Sequence, residues 1–81
     1  MQPIGANAPI DEFVPDPKVR KEFSVTPMTM WRWDHDPVKV ELGWPPPIKI
    51  GDRNYRSRKL LEQFKANLLR LAIESRDGRT A

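Results

Sequence analysis

Residues 26–33 read Thr26-Pro27-Met28-Thr29-Met30-Trp31-Arg32-Trp33, and they carry the signature of a short helix with a marked start. The Thr26 hydroxyl can accept from an otherwise unpaired backbone N–H, and Pro27 suits the first helical position, where no N–H is needed. At about 100° per residue, Met30 and Trp33 share one side, Pro27, Met28, Trp31 and Arg32 project from the other, and Thr29 lies at the boundary. The first side can anchor in a core. The second carries a guanidinium, an aromatic edge and a thioether with no carboxylate, a set suited to phosphates and base edges.

The chain around this helix has 81 residues, enough for one modest core. Hydrophobic residues at 38% and charged residues at 31% are ordinary for a globular chain, and nine prolines imply several fixed bends. With no cysteine, disulfides and thiolate metal sites are excluded, and no apolar run approaches a membrane span. A cytoplasmic protein is expected. Charge is distributed unevenly: residues 1–48 hold five Lys/Arg against seven Asp/Glu, and residues 49–81 hold nine against four. The basic run from Lys49 to Lys59 admits two readings, a surface for a polyanion or a solvated face that happens to be positive.

Upstream, residues 1–12 contain two prolines and a glycine without periodicity, which predicts a mobile arm. Phe13 and Val14 are the first apolar pair able to dock. Asp16-Pro17 repeats the cap-plus-proline pattern, and Val19 and Phe23 follow four apart, predicting a helix over 17–23. Ser24 and Val25 make a tight turn into the second helix, so the pair forms a helix-turn-helix with Val19, Phe23, Val25, Met30 and Trp33 inside.

Downstream, Asp36-Pro37 ends the second helix near residues 33–35. Asp34, His35 and Asp36 are read as a solvated loop; one imidazole beside two carboxylates is a weak metal constellation. Residues 38–42 give no clear element. Gly43-Trp44-Pro45-Pro46-Pro47 is a stiff connector, read as a loop tucking Trp44 into the core or as a polyproline ligand. Ile48-Lys49-Ile50, the turn residues Gly51-Asp52-Arg53-Asn54, and Tyr55-Arg56 predict a minimal hairpin with Arg53 and Asn54 at its tip. Ser57 caps a last helix that runs to residue 75 or 76 and stops before Gly78. Leu60, Leu61, Phe64, Leu68, Leu71 and Ala72 form its core face. Leu69 and Ile73 lie opposite, as incidental surface or as a strip for self-association or another protein.

This layout resembles the winged-helix-like DNA-binding domains of the AlpA and phage-excisionase group, distant relatives of MerR-type regulators. The matching text is Val25-Thr26 with Thr29-Met30-Trp31-Arg32-Trp33, then Gly43-Trp44-Pro45-Pro46-Pro47-Ile48-Lys49-Ile50-Gly51, then Asn54-Tyr55-Arg56-Ser57, spanning about residues 13–68. In that group the corresponding pieces are a Val-Ser/Thr turn, a Thr-Ile-aromatic-Arg-Trp recognition helix, a Gly-Phe-Pro-x-Pro loop, a basic wing and a capped helix. Three positions depart from it. Pro27 and Met28 stand where polar or basic side chains are common, Trp44 replaces Phe as a change of size rather than role, and the last helix continues past its usual end.

The resemblance implies a mostly α fold with a small β-hairpin wing, a winged helix-turn-helix; with the helix stop before Gly78, the domain is expected over 13–76 and a disordered tail over 77–81. It implies double-stranded DNA as partner, with Thr29, Trp31 and Arg32 in the major groove and Arg53 and Asn54 on the flanking backbone or minor groove. Met28 lies on the same exposed side as Trp31. Arg32 could make paired hydrogen bonds to guanine, or instead an ion pair with Asp36 one turn on. Trp31 could pack against the wing. Lys49, Arg56, Arg58, Lys59 and the Thr26 and Thr29 hydroxyls are assigned to phosphates. One histidine, no cysteine and no nucleotide-binding glycine pattern point to a binding protein without cofactor or metal rather than an enzyme. The competing reading is a protein-interaction adaptor on the same scaffold.

Overall fold

A computed structural model of the protein describes residues 11–80, with side chains described as far as residue 76. It is mostly helical with one small antiparallel sheet: β1 (Phe13–Pro15), α1 (Asp16–Phe23), α2 (Pro27–His35), α3 (Pro37–Glu41), β2 (Ile48–Ile50), β3 (Arg53–Ser57) and α4 (Arg58–Thr80). No helix among these residues is long and apolar enough to cross a membrane.

The starts of the helices follow their local chemistry. The Thr29 N–H donates to Thr26 Oγ1 at 3.1 Å, with Pro27 in the first turn of α2. Between α1 and α2, Ser24 takes a left-handed conformation (φ 55°) and the Val25 N–H returns to the Arg20 carbonyl at 3.0 Å, closing the turn. Asp36 accepts from the Val38 N–H at 2.9 Å and so starts α3, the element that sequence left unassigned. Ser57 accepts from the Leu60 N–H at 3.2 Å, as expected for the cap of α4. Asp16, expected to cap α1, is already helical and makes no cap bond, because its carboxylate is taken by Arg56.

The hairpin forms with a two-residue turn, Gly51-Asp52, since Ile50 pairs with Arg53; Gly51 supplies the positive φ such a turn needs. Arg53 and Asn54 are therefore strand residues beside the turn. The sheet has a third strand: β1 pairs with β3, Val14 opposite Arg56, giving the order β1-β3-β2. The period of two buries Val14 and leaves Phe13 outside.

The core consists of Val14, Val19, Met30, Trp44, Leu61 and Phe64, with Phe23, Trp33, Leu42 and Leu68 packed against it. Each fully buried aliphatic or aromatic side chain contributes about 1.5 to 3 kcal/mol. Four rings make a closed cluster in which every pair touches: Phe23, Trp33, Trp44 and Phe64, with centroids 5.1 to 6.1 Å apart. Trp44 thus enters the core from the proline connector. Pro45 is buried behind it, so the segment is not a free polyproline ligand.

Four expectations are corrected. Residues 11 and 12 are not part of a mobile arm: Asp11 accepts from the Ser57 hydroxyl and from the Lys59 N–H, and the Arg58 N–H donates to the Glu12 carbonyl at 2.7 Å. The rest of the proposed arm lies outside the described residues. Gly78 does not end α4, whose backbone reaches Thr80; one glycine costs a helix only about 1 kcal/mol, and no proline follows. Most of the tail expected to be disordered is therefore helical in backbone. Leu60, Leu71 and Ala72 do not join the core, because Leu60 is exposed at the start of α4 and every residue from Leu69 to Arg76 is exposed. The last attachments are Asn67, whose side-chain amide donates to the Leu42 carbonyl at 2.7 Å, and Leu68, which packs on the core; beyond them α4 outruns the small domain.

Candidate nucleic-acid interface

Helix α2 divides as its periodicity predicts. Met30 is buried and Trp33 packs on the core, while Thr26, Pro27, Met28, Trp31 and Arg32 are exposed and Thr29 is half-buried. Thr26 and Thr29 join hydroxyls at 3.1 Å, which braces the helix start. Trp31 is 58% exposed, so it does not pack against the hairpin. It is instead steadied from its own helix: the His35 ring lies 4.3 Å away, and His35 Nδ1 donates to the Trp31 carbonyl at 2.8 Å. Arg32 makes no pair with Asp36, whose carboxylate is occupied in starting α3.

The exposed side of α2 and the hairpin border adjoining clefts. Trp31 and Pro27 face Asn54 and Arg20 across a narrow one of about 170 Å³. A larger one of about 400 Å³ continues between the start of α1 and the hairpin, where Arg20 meets Arg53 and Asn54. Arg20 is the residue that sequence reasoning missed. Its only signal was a position immediately after the buried Val19, which puts it at the rim of α1 beside the turn. Lys49 pairs with Asn54 across the sheet and so shares its face. Among the described residues, Arg20, Arg32, Lys49 and Arg53 make no ion pair.

Arg56 and Arg58, assigned from sequence to phosphates, are spent inside the protein. Arg56 is only 1% exposed. Its Nε and Nη2 donate to Asp16 at 3.0 and 3.2 Å, its Nη1 and Nη2 to Asp34 at 2.6 and 3.1 Å, and its Nη1 also to the Pro45 carbonyl at 3.0 Å. The guanidinium lies 5.3 Å from the Trp44 ring centre. Burial pulls its pKa down, but the bonds to Asp34 and then Asp16 more than offset this and leave it raised. Asp34 also accepts from the Trp44 indole N–H at 2.7 Å, so it belongs to a fixed network and not to a solvated loop. Asp16, Asp34 and Arg56 together leave one negative charge beneath the cleft, which Arg20 and Arg53 outweigh.

Arg58 chelates Glu22 through two bonds of 2.8 Å and also reaches Glu12 and Glu62. Its hydrogen bonds hold the Glu22 carboxyl down at about 2, from an ordinary 4.5. Lys59 sits in the first turn of α4 against Asp11. The basic run from Lys49 to Lys59 is thus divided, with Lys49 and Arg53 outward and Arg56 and Arg58 turned to carboxylates.

That pair gives a pH prediction. Because Glu22 is depressed in the folded state, its contribution is complete above about pH 4.5 and drains as the pH falls toward 2. Both side chains are about a quarter exposed, so solvent screening limits the contribution to about 1 kcal/mol. Urea midpoints of the wild type and Glu22→Gln should differ at pH 6 and converge on acidification through that window. A constant difference would rule the pairing out.

Comparison with protein-family models, with curated proteins and with solved structures returned no match for this chain.

Proposed function

We propose that the protein is a small double-stranded-DNA-binding protein of winged helix-turn-helix type, a regulator of transcription or an excision factor of a mobile element, acting in the cytoplasm. Helix α2 enters the major groove, and the β2–β3 hairpin is the wing on the flanking backbone or minor groove. The observation that carries this reading is the pair of adjoining clefts between the helices and the hairpin, the first bordered by Trp31, Arg20 and Asn54 and the second by Arg20, Asn54 and Arg53. Guanidiniums without ion pairs, beside a helix face whose nearest carboxylates, Asp16 and Asp34, are bound to Arg56, suit a phosphate backbone. Arg32 reads a base edge. Arg20, Arg53 and Lys49 hold phosphates and set the register. The chemistry is binding, not catalysis.

Titration of labelled duplex against salt tests it. Affinity should fall linearly in log salt, and Arg20→Ala or Arg53→Ala should each lower the slope by about 1 while weakening all sequences alike. Arg32→Ala should instead relax discrimination between sequences by about 1 to 3 kcal/mol. Salt-insensitive retention would remove the DNA reading and favour an interaction adaptor. One observation favours that second reading on its own: Leu69 and Ile73 are exposed on one side of the free end of α4, and Leu71 on the other, as apolar surface for a protein partner or a second copy.

A further inference from the structure

The exposed side of α2 is unusually apolar for a helix that reads DNA. Pro27, Met28 and Trp31 line a shallow basin of about 540 Å³, with Met28 60% and Trp31 58% exposed. Its walls are held in place: Pro27 is fixed by its ring in the first turn, and Trp31 is steadied by His35. Met28 supplies a soft, adaptable edge. Two cations lie near the basin. Arg32 follows Met28 by one helical turn, and Arg20 with Asn54 shares the adjoining cleft with Pro27 and Trp31. The carboxylates in that cleft, Asp16 and Asp34, are bound to Arg56.

An apolar basin with cations nearby fits a polyanion that presents a small apolar group. On base edges in the major groove that group is the C5-methyl of thymine. We propose that the Pro27–Met28–Trp31 basin is a C5-methyl site, which makes the protein prefer thymine, and by the same chemistry 5-methylcytosine, over the unmethylated base beneath α2. This inference rests on the DNA reading above.

The test uses the full chain and two pairs of short labelled duplexes: alternating dA·dT against the same duplex with deoxyuridine, and alternating dG·dC against the same duplex with 5-methylcytosine. The methylated member of each pair should bind about fourfold more tightly for each methyl buried. Met28→Ala and Trp31→Ala change exposed side chains and should abolish both differences with melting unchanged. Equal binding of the thymine and deoxyuridine duplexes by the wild type overturns the methyl site and leaves DNA binding standing. A difference that survives in both variants also overturns it, by attributing the preference to duplex shape. Failure to bind any of these duplexes at low salt overturns both readings.

Discussion

Arg56→Ala should cost about 3 to 5 kcal/mol of folding stability, because it leaves two carboxylates facing each other without their shared cation. For a domain of this size that corresponds to a fall in Tm of more than about 12 °C. Asp16 and Asp34 come from different helices, Pro45 from the connector and Arg56 from the central strand, so one guanidinium joins four segments. Arg56→Lys should recover only part of the loss, since an ammonium cannot satisfy both carboxylates with paired bonds. Were Arg56 a phosphate contact, the alanine variant would melt like the wild type and fail only in binding. Thermal denaturation without DNA separates the two, and an unchanged Tm would sink the network.

A second large loss is expected at Trp44. Trp44→Ala removes a ring that is 3% exposed and touches Phe23, Trp33 and Phe64, and should cost about 3 to 5 kcal/mol through lost burial and a cavity. Trp44→Phe separates ring from polar handle. It keeps most of the apolar contact but deletes the N–H donated to Asp34, so about 1 to 2 kcal/mol should go. Urea denaturation of both variants checks this. If the phenylalanine variant matched the wild type, Trp44 would be only a larger Phe; the 2.7 Å bond to Asp34 says that its role differs as well. The two sites are coupled through Asp34, so Arg56→Ala with Trp44→Phe should cost less than the separate losses added together.

The elements themselves were legible because their signals are local. Thr26-Pro27 and Ser57 announce helix starts by hydrogen bonds that span three residues, and Gly51-Asp52 announces a turn by backbone conformation. The helical period correctly separated Met30 and Trp33 from Met28, Trp31 and Arg32. Strand β1 was not legible, for three residues including a proline carry little pattern and their pairing partner lies some forty positions away. Nor was α3, a five-residue helix too short to carry a periodic pattern.

The division of the cations was legible least of all. In sequence, Lys49, Arg53, Arg56 and Arg58 form one basic run, and nothing in their spacing tells which face outward. By itself the sequence determined where the helices begin, which side of α2 is buried, and that positive charge gathers late in the chain, since capping, periodicity and composition act within a few residues. Only the tertiary structure decided that Arg56 and Arg58 serve the fold while Arg20 joins Arg53 at the cleft. An ion pair depends on which carboxylates are carried within about 4 Å, and that distance is set by packing between segments far apart in the chain.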